Sequence, residues 1–358
     1  MTDHARPLIV SPHPASQQED STDASTLRLP YLIFLGDVKG EPNAKTAFGI
    51  RDWLPNDVVG QARLPACDVD LGLPDLTPHD AATGGAKSLL IGVAPVGGVL
   101  PAAWIPTLIE ALEAGLDLVS GLHTKLCDIP AVRDRAAQLG RTLHDVRHSA
   151  RTFPVASGRK RTGKRLLTVG TDCALGKKYA ALAITRAMRE RGLAADFRAT
   201  GQTGIMIAGK GVAIDAVVAD FIAGAAETLS PDAAPDHWDV IEGQGALFHP
   251  AYAGVSLGLL HGSQPDAMVL CHDPMRRSLN AYPDYPLPPI RRAIERYEEA
   301  ARLTNPNARV VGLSLNTSRL DDDDARRMLA ALTEEHGMPC MDPLRTSLDP
   351  LLDVLVAS

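Results

Sequence analysis

The sequence has few cysteines, and none of them is arranged for a metal or a disulfide. The five cysteines of this 358-residue chain are far apart, with no CxxC pair and no histidine at zinc spacing. This scattered set excludes a disulfide framework and a zinc finger, and it is typical of reduced thiols in the cytosol. No apolar run approaches the roughly 18 residues that a membrane span requires. We therefore expect a cytoplasmic protein with no membrane segment.

The chain also lacks an excess of positive charge. It has 43 acidic and 36 basic residues and a formal net charge of -7. Non-specific nucleic-acid binding requires a basic surface that displaces counterions from phosphates, so we expect no nucleic-acid partner. Residues 1–28 are rich in Ser, Pro, Asp and Gln. They lack the charged-then-apolar order of a signal peptide, and we predict a disordered arm.

Apolar runs that alternate with helical patterns predict an α/β protein of two domains. The first domain is predicted over residues 29–150, with strands at 29–36, 87–92 and 116–120 and helices at 44–53, 104–114 and 129–139. No GxGxxG follows its first strand, so we expect no NAD site. Four of its residues are candidates for the wall of an interdomain cleft: Asp37, Lys45, Arg63 and His123.

A short basic segment separates the two predicted domains. Residues 151–164 contain five Lys or Arg residues and little apolar content. One interpretation of this segment is a solvated basic linker. The other is a basic strip that attracts a phosphorylated ligand bound by the next segment.

The second domain, residues 165–358, is predicted to contain a mostly parallel sheet. Strands at 165–169, 194–198, 238–241, 267–271 and 309–315 each run directly into polar or glycine residues. Ligands of open parallel sheets bind beyond the carboxyl ends of the strands, so these strand ends predict a binding site. Helices are predicted at 176–191, 212–229 and 325–333, and the apolar helix at 212–229 favours a homo-oligomer.

The segment LLTVGTDCALGKK predicts a strand, a phosphate-binding loop and the start of a helix. Such a loop turns successive backbone N–H groups towards anionic oxygens, and the positive helix N-terminus assists them. A lysine adds a full charge. The expected phosphate-binding residues are Gly170, Thr171, Asp172, Cys173, Ala174, Gly176, Lys177 and Lys178.

The residue after the Gly-Lys pair departs from the usual P-loop. That position normally carries a Ser or Thr hydroxyl that binds Mg²⁺, and here it carries Lys178. An ammonium repels a metal and attracts phosphate. We therefore expect no metal and a ligand whose phosphates stay intact, such as coenzyme A. Thr171 still offers a hydroxyl, which keeps ATP open as the alternative.

Several longer motifs occur in a fixed order. They are PYLIFLGD, SGLHTKLCDIP, GTDCALGKK, FRATGQTGIMIAG, HWDVIEGQGALFHP, LLHGSQPDAMVLCHDPMR and ARLTNPNARVVGLSLNTS. Together they closely resemble the DgcN family of D-glutamate N-acetyltransferases, formerly a family of unknown function, over residues 30–355. The C-terminal domain is also similar to dethiobiotin synthetase, with EGQG in place of EGAG.

The resemblance implies a Rossmann-like N-terminal domain and a P-loop C-terminal domain. It also implies transfer of acetyl from acetyl-CoA, as co-substrate, to the amine of D-glutamate, ahead of a separate deacetylase in D-amino-acid catabolism. The likeness to dethiobiotin synthetase gives the alternative, an ATP-dependent ligase or kinase. A non-catalytic nucleotide sensor is the third hypothesis. Cys173 is interpreted as a small residue of a tight loop rather than as an acetyl-carrying nucleophile.

Acetyl transfer to an amine requires a base, donors for the oxyanion and binding groups for the substrate carboxylates. We predict the base among Glu242, His249 and His261, which follow the third strand of the second domain. Arg198 and Arg276 are the expected carboxylate clamps, because a guanidinium binds a carboxylate through two parallel hydrogen bonds. Backbone N–H groups of TGQTG and EGQG are candidate oxyanion donors. The polar residues of these segments complete the expected substrate site: Thr200, Gln202, Thr203 and Gln244.

Overall fold

The N-terminal domain is built on a five-stranded parallel sheet. The structure is a computed structural model that describes residues 27–95, 98–148 and 151–357. The strand order is β2-β1-β3-β4-β5, and every pairing is parallel. The elements are β1 (Tyr31–Gly36), α1 (Lys45–Trp53), β2 (Val58–Arg63), α2 (Pro78–Thr83), β3 (Ser88–Ile91), α3 (Ile105–Glu113), β4 (Asp117–Ser120), α4 (Pro130–Leu139) and β5 (Leu143–Asp145).

The predicted α/β architecture of this domain is confirmed, with strand and helix ends within two residues of the expected positions. Strands β1, β3 and β4 are buried along their whole length, as a parallel sheet covered on both faces requires. Two strands were not predicted. In strand β2, Gly60 and Gln61 interrupt the apolar run, and β5 has only three residues. The predicted arm covers residues 1–28. Its first 26 residues lie outside the described part of the chain.

The C-terminal domain is built on a six-stranded parallel sheet in the order β13-β12-β9-β6-β8-β7. A short hairpin, β10-β11, stands apart from it. The elements are β6 (Lys164–Gly170), α5 (Lys177–Glu190), β7 (Ala195–Arg198), α6 (Gln202–Ala208), α7 (Ile222–Leu229), β8 (Trp238–Ile241), α8 (Ala253–Ser263), β9 (Ala267–His272), β10 (Ser278–Leu279), β11 (Tyr282–Pro286), α9 (Ile290–Arg302), β12 (Arg309–Leu315), α10 (Asp322–His336), β13 (Cys340–Met341) and α11 (Asp349–Val356).

Strand β6 lies in the middle of this sheet, between β8 and β9. The chain leaves β6 for the edge strand β7, returns to β8, and then crosses to β9 on the other side of β6. This change of direction opens a crevice at the carboxyl ends of the strands, which is where open α/β sheets bind ligands. The loop that follows β6 therefore lies at the centre of the candidate site.

The predicted helix at 212–229 is wrong in its first half. Only Ile222–Leu229 is α-helical. Before it, the backbone amide of Val212 donates to the carbonyl of Ala199 and that of Ile214 donates to the carbonyl of Thr200, so this stretch is tied to the chain that follows β7. In α7 itself the apolar side chains of Ile222, Ala225 and Ala226 are buried in the core, and this helix therefore no longer argues for a second subunit.

The basic segment before β6 runs along the amino edge of the sheet, opposite the phosphate loop. Lys160 donates to Asp266 at 2.7 Å, and Asp266 directly precedes β9. Arg161 is buried, and its guanidinium donates to the carbonyl of Gly262 at 2.5 Å. Most of its residues are exposed, Arg159 and Lys160 among them, as the interpretation of a solvated linker expects. The structure does not support a strip that attracts the ligand, because the segment and its partners lie at the far edge.

None of the helices in the described part of the chain combines the length and apolarity that a bilayer crossing requires.

Candidate functional site

A cleft of about 950 Å³ opens between the two domains at the carboxyl edge of the C-terminal sheet. Its C-terminal wall is the loop after β6, the start of α5 and the segments that follow β7 and β8. Its N-terminal wall includes Lys45 of α1, His123 and Arg147. The hydroxyls of Thr46 and Thr203 lie 2.8 Å apart and form a hydrogen bond across the domain boundary, which joins α1 to α6.

The phosphate-binding loop has the geometry that the sequence predicts. Residues 171–176 form consecutive bends, and α5 begins at Lys177. Gly176 has a φ of 107°, a left-handed conformation that glycine adopts without strain. The hydroxyl of Tyr297, which lies on α9, donates to the carbonyl of Gly170 at 2.8 Å. The strand, loop and helix are therefore present, and α9 supports the loop from behind.

Asp172 holds the loop in shape from inside. Its side chain is fully buried and accepts three hydrogen bonds, from the backbone N–H of Cys173 at 2.6 Å, from the guanidinium of Arg276 at 2.7 Å and from the backbone N–H of Asn280 at 2.7 Å. These donors and the complete burial of the carboxylate commit it to the protein. Asp172 is therefore a scaffold of the loop.

Arg276 belongs to the same scaffold and not to the substrate site. Besides Asp172, its guanidinium donates to the carbonyls of Cys173 at 2.7 Å and Ala174 at 3.2 Å. All these acceptors lie on the phosphate loop, and Arg276 does not line the cleft. The structure therefore does not support the expected carboxylate clamp at this position, because the guanidinium is committed to the loop.

Lys177 lies under the loop with its ammonium directed inward. The ammonium donates to the carbonyl of Asp172 at 2.8 Å, and burial lowers the pKa of Lys177. A cation that bonds to a carbonyl of the loop is placed to exchange that acceptor for a phosphate oxygen.

Thr171 does not offer its hydroxyl to the cleft. The hydroxyl lies 3.0 Å from Nδ1 of His272, with which it forms a hydrogen bond. Burial lowers the pKa of His272 to about 4, so the imidazole is neutral near pH 7 and serves as a hydrogen-bonding partner. The hydroxyl that the sequence left available for a metal is thus engaged by the protein.

Glu242 directly follows β8 and is a buried carboxylate at the floor of the cleft. One carboxylate oxygen accepts hydrogen bonds from the backbone N–H groups of Thr200 and Gly201, both at 3.0 Å. Burial raises the pKa of Glu242, while these two hydrogen bonds and the charge of Lys178 oppose the shift. The amide of Gln244 donates to the hydroxyl of Thr200 at 3.1 Å. A buried carboxyl with a raised pKa is suited to accept a proton near neutrality.

Some of the backbone N–H groups that the sequence predicts as oxyanion donors already bind other atoms of the protein. The N–H groups of Thr200 and Gly201 bind Glu242, and the N–H of Gly243 donates to the hydroxyl of Thr168 at 2.9 Å. Gln202 and Thr203, at the start of α6, line the cleft. Any oxyanion donors in these segments therefore lie on α6 or beyond Gly243.

Lys178 points away from the loop and into the interdomain part of the cleft. A Cβ atom at Gly49 of α1 would lie only 2.7 Å from its ammonium, so glycine is the residue that leaves room for this approach. The ammonium also lies over the ring of Tyr179, 4.7 Å from the centroid. Burial lowers the pKa of Lys178 to about 8. The side chain predicted to bind phosphate beside Lys177 instead faces α1.

Arg198 and His261 do not reach the cleft. Arg198 donates to the buried carboxylate of Asp239 at 2.7 Å, and Asp239 lies in β8 on the amino side of Ile241, the residue that Arg198 opposes. The guanidinium therefore points back along the sheet. His261 lies on α8, with Nε2 3.1 Å from the carbonyl of Ala300. Arg198 is therefore not placed as a carboxylate clamp in the cleft, and His261 is not placed there as a base.

His249 lies close to the phosphate loop but is enclosed by aromatic rings. It stacks on Tyr252 with 4.6 Å between centroids and meets Tyr282 edge-on. Its Nδ1 accepts the backbone N–H of Ala251, and its Nε2 lies 3.3 Å from the carbonyl of Asn280. Both ring nitrogens therefore have backbone partners. His249 supports the loop from the side and is a weaker candidate for the base than Glu242.

Asp172, Cys173 and His249 bring three potential ligand atoms within 4.8 Å of one another. The donors already bound to Asp172 and the adjacent guanidinium of Arg276 do not suit a cation. Burial raises the pKa of the Cys173 thiol, which keeps it protonated and disfavours both metal binding and nucleophilic attack.

Two of the four N-terminal candidates reach the cleft. Lys45 and His123 line it. Asp37 instead accepts the indole N–H of Trp104 at 2.8 Å, and Arg63 forms an ion pair with Asp75. Asp37 and Arg63 therefore bind partners within the N-terminal domain and do not line the cleft.

Several residues of the site carried no readable signal in the sequence. Tyr297 and Asn280 contact the loop from about 110 to 130 positions away, and only the packing of α9 and of the β10-β11 hairpin brings them there. Arg147 pairs with Asp215 across the domain boundary and donates to the carbonyl of Gly121 at 3.0 Å. For Lys178 a signal existed, because successive helical residues point about 100° apart and two adjacent lysines cannot both face the loop.

Comparison with known proteins identifies the family. Residues 154–352 match the P-loop domain of the domain-of-unknown-function family DUF1611, and residues 58–149 match its Rossmann-like N-terminal domain. The chain is 48% identical over 92% of its length to a protein of Tritonibacter scottomollicae named D-glutamate N-acetyltransferase, covering 99% of that protein. It is 47% identical over 91% of its length to a protein of the same name from a Pseudoalteromonas species, covering 98% of that protein.

A solved structure agrees with this assignment. The crystal structure of a DUF1611 family protein from Anabaena variabilis superimposes with a TM-score of 0.82 at 34% sequence identity, covering 92% of this chain and 100% of that one. The predicted Rossmann-like and P-loop domains are therefore confirmed, and the chain belongs to the DUF1611 family.

Proposed function

We propose that this protein transfers the acetyl group of acetyl-CoA to the amine of D-glutamate. The observation that carries the proposal is its 47% to 48% identity, over more than nine tenths of the chain, to two proteins named D-glutamate N-acetyltransferase. The cleft supports it, because a phosphate-binding loop and a buried carboxyl face the same space. These are the two parts that a CoA-dependent transfer to an amine requires.

The donor set favours coenzyme A over a magnesium-bound nucleotide. A P-loop binds Mg²⁺ through the hydroxyl after its lysine, and Lys178 occupies that position. The oxygen ligands of the loop itself are engaged, since the Thr171 hydroxyl bonds to His272 and the Asp172 carboxylate accepts three donors. Mg²⁺ does not fit these residues. The loop amides and Lys177 suit phosphates that are bound but not cleaved.

Glu242 is the base in this proposal. An amine attacks a thioester only after its ammonium has lost a proton, and a carboxyl with a raised pKa accepts that proton near neutral pH. The nitrogen then attacks the carbonyl carbon, the C–S bond breaks, and the leaving thiolate takes the second proton that the nitrogen loses, which gives the amide and free CoA. The two backbone N–H groups that bind one oxygen of Glu242 orient the other for this transfer.

We further infer that the protein works in the cytoplasm and that its N-acetylated product is consumed by a separate deacetylase. The scattered cysteines, all free in the structure, support the first inference. The chemistry of the product supports the second, because an amide formed on an amino acid is cleaved by N-deacylation.

The test follows free thiol while purified protein is incubated with acetyl-CoA and D-glutamate, L-glutamate or D-aspartate. We expect release with D-glutamate. Absence of release with every acidic amino acid would remove the proposal. ATP with Mg²⁺ in place of acetyl-CoA provides the competing measurement, in which ADP formation would favour the ATP-dependent alternative.

Two variants separate binding from chemistry. Glu242→Gln keeps the two backbone hydrogen bonds but cannot accept the proton, so we expect a loss of kcat of about 100-fold or more with the affinity for CoA retained. Lys177→Ala should weaken CoA binding by about tenfold or more and leave the fold intact. An unchanged kcat in the first variant or an unchanged affinity in the second would contradict the assigned roles.

A further inference from the structure

Two lysines of the cleft, one from each domain, form no ion pair with an acid in the part of the chain that the structure describes. Lys45 of α1 and Lys178 of α5 both line the cleft. Neither forms an ion pair or a hydrogen bond with any residue in the ranges that the structure describes. The other long cations of the lining are paired, since Lys177 donates to the loop and Arg147 binds Asp215.

Both lysines border the same strip of α1. The ammonium of Lys178 lies against Gly49, as the close distance to a Cβ there demonstrates. Lys45 is four residues before Gly49 on this helix, and residues four apart lie on one face of a helix. Helix α6 borders the same space, because Thr203 is the next closest neighbour of the Gly49 position and also bonds to Thr46.

This arrangement is unfavourable without a ligand. Lys45 is exposed and its ammonium is solvated, whereas Lys178 is half-buried. Burying the Lys178 ammonium without an acceptor costs free energy, and a second ammonium nearby increases that cost. The pKa of Lys178 reflects both effects, because burial lowers it to about 8 and the charge of Lys45 lowers it further against the opposing charges of Glu242 and Asp52. An anion that binds between the two lysines would reduce both the cost of burial and the repulsion between the two ammonium groups.

The substrate supplies such an anion if the proposed function is correct. D-glutamate carries two carboxylates, and the two arginines expected to bind them, Arg198 and Arg276, are engaged elsewhere. The phosphates of coenzyme A are the other anions in the reaction. The loop amides and Lys177 face those phosphates, whereas Lys178 is turned about 100° away from Lys177 along α5.

We propose that Lys45 and Lys178 form a two-lysine clamp that binds the side-chain carboxylate of the acidic amino acid. This inference rests on the proposed function and names the residues that select its substrate. Because the lysines come from different domains, the clamp bridges the cleft when the substrate binds. It favours glutamate over glutamine, since an amide offers an ammonium only one weaker acceptor.

The experiment compares Lys45→Met and Lys178→Met with the wild type and with Lys39→Met, a lysine that pairs with Asp68 on the surface and does not line the cleft. The kinetic constants are measured with D-glutamate and with D-glutamine, its uncharged analogue. Each clamp variant should lower kcat/KM for D-glutamate by about tenfold or more, mainly through KM. The values for D-glutamine should stay within about twofold in Lys45→Met, and Lys39→Met should match the wild type.

Calorimetry measures binding without turnover. It is done with glutarate, a dicarboxylate without an amine, and separately with CoA. Glutarate affinity should fall in both clamp variants, CoA affinity should not, and Lys178→Arg should restore glutarate binding. Unchanged selectivity between D-glutamate and D-glutamine, or a loss of CoA affinity in place of glutarate affinity, would overturn the clamp. Wild-type protein that binds glutarate through these lysines but releases no thiol would remove the proposed function and retain the clamp.

Discussion

The two edges of the C-terminal sheet use charge in opposite ways. At the amino edge, three basic residues are paired with acids: Arg159 binds Asp232, Lys160 binds Asp266, and Arg198 binds Asp239. At the carboxyl edge, acids are buried in the scaffold of the loop, and two ammonium groups remain without acidic partners among the described residues.

This difference indicates that a ligand site is marked by cations without acidic partners, and not by the number of cations in a segment. A paired guanidinium stabilises the fold and has little attraction left for a ligand. An unpaired ammonium in a cleft is costly to the ligand-free protein and is relieved when an anion binds. The basic segment 151–164 therefore belongs to the structure, and Lys45 and Lys178 belong to the site.

The largest effect should come from removing the acid that organises the carboxyl edge. Asp172→Ala takes the acceptor from Arg276 and from the backbone N–H groups of Cys173 and Asn280. Breaking a buried pair by deleting one partner costs about 3–5 kcal/mol, and a displaced loop should lose CoA affinity by about 100-fold. Denaturant unfolding and CoA titration measure the two quantities.

The control for this variant lies at the opposite edge. Asp239→Ala removes a buried aspartate that binds Arg198 and the hydroxyl of Ser230. It should lower the free energy of unfolding by a similar amount and leave CoA affinity within about twofold of the wild type. Equal losses of affinity in both variants would mean that the two edges do not differ as described.

A second, intermediate effect follows from the pKa of Lys178, which is lowered to about 8 in the folded protein. The ammonium is charged below this pH, so glutarate affinity should fall about tenfold as the pH rises from 7.5 to 9. Asp52, Glu242 and Lys45 are the charged groups that act on it. Because the unfolded chain retains its proton up to a higher pH, this group should also make the ligand-free protein more stable as the pH rises above 8.

Lys178→Arg provides the control, because a guanidinium stays charged over this range. Glutarate affinity in this variant should be nearly constant between pH 7.5 and 9. A wild-type affinity that is equally constant would show that Lys178 does not contribute its charge to the bound dicarboxylate.

Much of the fold could be predicted from the sequence, because apolar runs and glycines mark buried parallel strands. The strand at Arg309–Leu315 and the strand at Trp238–Ile241 have the predicted bounds, and the glycines after β6 and β8 correctly locate the cleft. Glu242 was predicted as a candidate base because it ends a buried strand. These features depend on local sequence alone.

The partners of side chains could not be predicted, because they depend on which strands become neighbours. Asp196 of β7 lies opposite Asp239 of β8, so Arg198, two residues along, is held between two carboxylates. Nothing in the sequence indicates that the segments 195–198 and 238–241 pair. The same limit applies to Asn280, which reaches the loop through a hairpin that was not predicted.

The smallest effect is expected at Arg198, which tests whether the amino edge is only structural. Arg198→Leu leaves Asp239 with the Ser230 hydroxyl at 2.5 Å and with His237 at 3.3 Å, and it removes one charge-assisted hydrogen bond. We expect the free energy of unfolding to fall by about 1.5–3 kcal/mol and the KM for D-glutamate to stay within about twofold. A large increase in that KM with little change in stability would reverse the comparison, because Arg198 would then have to leave Asp239 and act as a carboxylate clamp at the opposite edge.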